Sequence, residues 1–91
     1  MIRVFVLYRE QPNAEQYADH VELSGREVPG ATIRHGRILG SAEGPSDYAY
    51  YFEFEFPDRD AWAAAREGLM RSAEDAGSLG VPFEVYFAEI G

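Results

Sequence analysis

The 91 residues contain no cysteine. Disulfides, thiolate metal centres and a cysteine nucleophile are thereby excluded, and the reducing cytoplasm is the default expectation. Basic charge is scarce as well: eight Lys and Arg stand against sixteen Asp and Glu, a formal charge of -8. A surface of that sign repels polyanions, so neither nucleic acid nor an anionic membrane is expected as a partner. Long apolar runs are missing. The stretch IRVFVLY at 2–8 has only seven residues and includes Arg3, too short for a signal-peptide core or a membrane span. The junction PNAEQ after this run has none of the glycines of a phosphate cradle. No His-x-x-x-His or carboxylate cluster has metal-ligand spacing, and no serine sits in a nucleophile elbow. The expectation is a chain without metal or bound cofactor.

Hydrophobic residues make up 46% of the chain, enough for one core. The length suits one domain, 1–91, and is too short for two. A chain this small buries a limited share of its surface, so a partner subunit would add stability. Residues 2–8 are β-branched and aromatic on both faces, as in a central strand covered on both sides. Pro12 and Asn13 carry turn chemistry, and Asn13 is a good helix N-cap. From Ala14 to Val28 the period becomes helical, with Tyr17, Val21, Ser24 and Val28 on one stripe, until Pro29-Gly30 ends it. ATIRHGRIL at 31–39 reads as a second strand in which Gly36 predicts a bulge or bend. A loop, GSAEGPS, spans 40–46. Asp58 predicts the N-cap of a second helix whose buried stripe is Trp62, Ala65, Leu69, Ala73 and Ala76, stopped by Gly77 and Gly80. VPFEVYFAEI at 81–90 alternates as a last strand. The order βαββαβ predicts a ferredoxin-like α+β sandwich: a four-stranded antiparallel sheet with both helices on one face.

Between the loop and the second helix lies DYAYYFEFEF, residues 47–56, with six aromatic side chains in ten positions. Strand period puts Tyr48, Tyr50, Phe52, Phe54 and Phe56 on one face, and Ala49, Tyr51, Glu53 and Glu55 on the other. The first set belongs under the helices. The second is a mixed face. An RNA-recognition motif has the same element order and stacks bases on third-strand rings. Its signature there begins with a basic residue and glycine; this chain has Asp47-Tyr48, and its carboxylates would face phosphate. Rings on an open sheet face call for a cover, and a second copy of the chain is the expected one. Glu53 and Glu55 would then pair with Arg3, Arg34 or a tyrosine hydroxyl.

VFVLYREQPNAEQYADHVEL at 4–23, with Tyr17, His20 and Leu23 on its helix, resembles the EthD family of dimeric α/β-barrel proteins. Pro29-Gly30, Leu39-Gly40-Ser41, Phe56-Pro57-Asp58 and the ending FEVYFAEI extend the likeness over nearly the whole chain. The resemblance implies two ferredoxin-like monomers whose sheets close into one barrel. It also implies a cofactor-free enzyme of monooxygenase, isomerase or dehydratase type acting on a small hydrophobic or aromatic metabolite, or a non-catalytic ligand-binding or accessory homodimer. A first-helix histidine recurs in such proteins, and His20 falls there. Where relatives often carry His-x-Pro-Leu, this chain has His20-Val21-Glu22-Leu23, and Asp19 replaces a neighbouring histidine.

His20 sits beside the Tyr17/Val21 stripe, at the edge of the predicted core. It reads either as a boundary residue or as a proton carrier, since an unperturbed imidazole titrates near pH 6.5. Tyr17, Tyr51 and Trp62 are the candidate walls of a binding cavity. His35, in RHGR, is a candidate contact on the second strand or a surface residue between arginines.

Overall fold

The computed structural model describes residues Met1–Gly91. Four strands, β1 (Ile2–Tyr8), β2 (Thr32–Arg37), β3 (Tyr50–Phe56) and β4 (Phe83–Glu89), and three helices, α1 (Ala14–Glu27), α2 (Arg59–Ala64) and α3 (Arg66–Gly77), follow one another as βαββααβ. The strands form one sheet in the order β2-β3-β1-β4, every neighbouring pair antiparallel. This is the ferredoxin-like α+β arrangement. β1 is central, which is why both of its faces are apolar: Ile2, Val4, Val6 and Tyr8 are buried towards the helices, and Arg3, Phe5 and Leu7 lie half-buried on the other side. Phe52, Phe54 and Phe56 of β3 join the buried set, and the core forms between this face and the helices.

Local chemistry starts the helices where expected. The Asn13 side chain accepts hydrogen bonds from the amides of Glu15 and Gln16 at 3.0 and 3.1 Å, and Asp58 accepts from Ala61 at 2.8 Å. Caps of this kind contribute about 1 kcal/mol each. The chain leaves α3 through Gly80, whose φ of +74° suits glycine.

Three expectations need correction. β2 is shorter than 31–39, and it holds a regular register through Gly36, which pairs with Tyr51 without a bulge. The missing side chain is replaced by the Tyr51 ring: a Cβ on Gly36 would stand 3.2 Å from its Cε1. The second helix is not one rod but two. At Ala65 (φ -87°, ψ 1°) the amide is shared between the carbonyls of Ala61 and Trp62, at 3.2 and 3.1 Å, the tighter winding that marks a break. Its buried stripe is also rotated. Gly68, Ser72 and Ala76 are buried, while Ala73 is exposed and Trp62, Ala65 and Leu69 are only half-buried. Of the stripe read from the sequence only Ala76 is buried; Trp62, Leu69 and Ala73 border a cavity, whereas Gly68 and Ser72 meet α1.

The open sheet face answers why Glu53 and Glu55 are tolerated among rings. Arg3 donates to Glu55 at 2.6 Å and lies 3.8 Å from Glu53. Arg34, on the adjacent strand, stands 3.6 and 3.4 Å from the same two carboxylates. Two arginines and two glutamates form a neutral lattice, with the Glu53 and Glu55 side chains only 12% and 16% exposed.

Candidate active site

Helices α1 and α3 cross as antiparallel neighbours, and three steps of their contact set the site. At the first, Gly68 meets the backbone of Glu27; any Cβ there would overlap the Glu27 carbonyl oxygen. At the second, the buried hydroxyls of Ser24 and Ser72 share a hydrogen bond of 2.7 Å. At the third, His20 Nδ1 meets Asp75 Oδ2 at 2.8 Å. Positions three or four apart on one helix lie above one another, so the first two contacts carry the third into register.

His20 is only 2% exposed, not the boundary residue that the helical wheel suggests. The departure is local: the imidazole turns inward because Asp75 supplies a partner that sequence spacing does not reveal. A carboxylate on Nδ1 favours the tautomer with its proton there and leaves Nε2 for another partner. The ring rests on Phe52, centroids 5.4 Å apart, and borders a cavity of about 540 Å³.

This cavity lies between the helix-facing side of the sheet and the α2–α3 pair. Thirteen of its sixteen lining residues are hydrophobic, so a bound molecule would meet few competing polar groups. Val4 and Val6 of β1 and Phe52 and Phe54 of β3 contribute from the sheet; Trp62, Leu69 and Met70 contribute from the helices. Trp62 leans on Phe87 of β4 with centroids 5.5 Å apart. The polar groups are His20, Ser72 and Arg66. Asp75 borders a separate polar groove with Asp19, Glu22 and Arg26, and its side chain is 31% exposed. The His20–Asp75 pair thus spans from the apolar cavity to the polar groove.

Of the candidate binding residues, only Trp62 joins His20 at the cavity. Tyr17 is buried beyond Phe52, and its hydroxyl donates to the Tyr51 carbonyl at 3.3 Å. Burial raises its phenol well above the usual range. His35 lies at the sheet edge, stacked on Phe52 at 5.8 Å and edge-on to Tyr17 at 5.6 Å, outside the cavity. The Tyr51 side chain is on the opposite sheet face, over Gly36. Strand alternation foretells that separation, because Tyr51 shares its face with Glu53 and Glu55. Asp75, Arg66 and the Gly68/Ser72 contact were not among the candidates. The available signal is the small-residue spacing Gly68, Ser72, Ala76, together with Ser24 on an otherwise apolar stripe.

Tyr8 adds a further buried group near the pair. It is fully buried and its hydroxyl has no hydrogen-bond partner. Burial first, and the Asp75 charge second, push its phenol up to about 12. No group of three or more His, Asp or Glu side chains is arranged to hold a metal ion, and no helix is long and apolar enough to cross a membrane.

Fold and site together define a ferredoxin-like α+β protein with an apolar cavity under its helices and a histidine–carboxylate pair in the cavity wall. No protein-family model matches the sequence, and no curated protein matches it. Solved structures do. An ethyl tert-butyl ether D (EthD) family protein from Bacillus halodurans superposes with a TM-score of 0.72 and 27% identity, covering 100% of this chain and 99% of its own. A dimeric ferredoxin-like protein of unknown function from Jannaschia gives 0.71 and 18%, covering 98% of both chains. The hydroxynitrile lyase of Passiflora edulis gives 0.66 and 15%, covering 99% of this chain and 94% of the enzyme. The resemblance to EthD and dimeric ferredoxin-like proteins therefore holds in three dimensions over the whole length.

Proposed function

We propose that the chain is an EthD-like homodimer whose cavities bind a small hydrophobic or aromatic metabolite, with His20 carrying a proton to or from it. The observation that carries the proposal is the His20–Asp75 contact of 2.8 Å in the wall of a 540 Å³ apolar cavity. Isomerisation or dehydration needs a proton removed at one atom and returned at another. Nε2 would serve as the acid–base atom, and Asp75 would hold the ring and exchange protons with solvent. That chemistry requires no bound cofactor. The same base could ionise a phenol before a monooxygenation, but no residue of the cavity favours that step over simple proton transfer. The Passiflora lyase is in keeping with this reading, since it carries chemistry on a similar fold.

The dimer rests on the open sheet face. Phe5, Leu7 and Tyr51 are half-buried there, and Tyr86 is 50% exposed, around the neutral arginine–glutamate lattice. A second such face would cover the rings without stranding a charge. Light scattering should return about twice 10.2 kDa; a stable monomer at micromolar concentration would refute the dimer.

For the cavity, native mass spectrometry should find a small hydrophobic compound bound to the protein and absent from Ala73→Trp, which fills the cavity from an exposed wall position. With that compound as substrate, His20→Gln should abolish turnover while the circular dichroism spectrum persists. Unchanged turnover would reject the acid–base role, leaving a ligand-binding protein.

A further inference from the structure

We infer that Arg66 makes the cavity selective for apolar molecules that carry one negative charge, such as a carboxylate or phenolate. The inference rests on the reading of the cavity as a ligand site and adds the class of ligand. Arg66 is the only permanently charged side chain among the lining residues, and no carboxylate is among them. It is also free. Six of the eight basic side chains, Arg3, Arg9, Arg26, Arg34, Arg59 and Arg71, lie within 4.0 Å of a carboxylate. Arg66 has no such partner, although the chain carries twice as many acids as bases. An arginine left unpaired in an acidic protein, on the rim of an apolar cavity, offers a fork of donors to an anion.

Position adds polarity to the site. Arg66 opens α3 and Asp75 lies nine residues later, a rise of about 13 Å along the helix. An anion held at Arg66 places the far end of an elongated apolar body towards His20. Neutral molecules would lose the charged contact, and cations would be repelled by the same guanidinium.

The test uses three probes of one shape: octanoate, octan-1-ol and octylamine. Trp62, the only tryptophan, lines the cavity and reports their binding by fluorescence, and calorimetry gives the affinities. Wild type should bind octanoate roughly tenfold more tightly than octan-1-ol, with octylamine weakest. Arg66→Gln should weaken octanoate by roughly tenfold and leave octan-1-ol unchanged, since a hydrogen bond to a charged group is worth about that factor. Because Arg66 is exposed, this variant should fold; Arg66→Lys, which keeps the charge, should retain most of the preference. If all three probes bind equally and Arg66→Gln changes nothing, the cavity reading stands and the anion preference is wrong. If none binds, or Ala73→Trp leaves octanoate binding intact, the cavity reading falls and this inference falls with it.

Discussion

Gly68→Ala and Gly25→Ala are the same chemical change in two helices, and they should move stability in opposite directions. Alanine in a helix interior is favoured over glycine by roughly 1 kcal/mol. Gly25 has open space around its missing Cβ, so Gly25→Ala should realise much of that gain. At Gly68 the new methyl would overlap the Glu27 carbonyl oxygen and stand 2.9 Å from its carbon. Backbone cannot rotate away as a side chain can, so α3 must retreat from α1. Overpacking of this kind costs about 1–3 kcal/mol. Loosening the buried Ser24–Ser72 bond adds about 1 kcal/mol. Against the propensity gain, the net loss should be about 2 kcal/mol. For a domain of this size a change of 1 kcal/mol moves Tm by about 4–8 °C, so Gly68→Ala should melt roughly 10 °C lower and Gly25→Ala a few degrees higher. Calorimetry at one protein concentration measures both, since self-association would otherwise shift Tm. A second readout is the imidazole of His20 by NMR: its Nδ1 proton should exchange with water faster in Gly68→Ala, because the Asp75 contact depends on the same helix crossing. A rise in Tm for both variants would refute the argument that Gly68 sets the α1–α3 spacing.

Two further outcomes follow from the same geometry. Glu55 is held below the ordinary carboxylate range, first by its hydrogen bond from Arg3 and also by Arg34; a folded-state pKa below the unfolded one means that its contribution is complete above about pH 4.5 and is lost as pH falls through the lowered value. Arg3→Met should raise the Glu55 midpoint in a carboxyl NMR titration and flatten that acid limb of stability, and an unmoved midpoint would dismiss the Arg3 contact. Tyr8→Phe removes a buried hydroxyl without a partner and should leave stability unchanged or raise it by about 1 kcal/mol in urea unfolding; a clear loss would mean that the hydroxyl is engaged, with Asp75, whose charge acts on it, the candidate partner.

Much of the architecture is legible before any coordinates. Two-residue alternation assigns β1, β3 and β4 and sorts Phe52, Phe54 and Phe56 from Tyr51, Glu53 and Glu55, because strand side chains alternate by covalent geometry. Asn13 and Asp58 mark helix starts because their short side chains reach the free amides of the first turn. The pairing of Glu53 and Glu55 with Arg3 and Arg34 is also foreseeable, since half-buried carboxylates on a sheet need partners on neighbouring strands. These are properties of short stretches, and short stretches state them in sequence.

The site is another matter. His20 and Asp75 are 55 residues apart, and neither carries any local mark of the other. Their meeting depends on the closeness of two helices, which a glycine and two serines permit. Of the presumed core stripe, Trp62, Leu69 and Ala73 instead stand in the wall of a cavity, and Arg66 borders the same space. Periodicity tells which side of a helix avoids water, but only packing in three dimensions decides whether that side meets another element or encloses a void. The physical reason is that a hydrophobic face is satisfied equally by neighbours or by a sheltered pocket, and the choice is made by contacts distant in sequence.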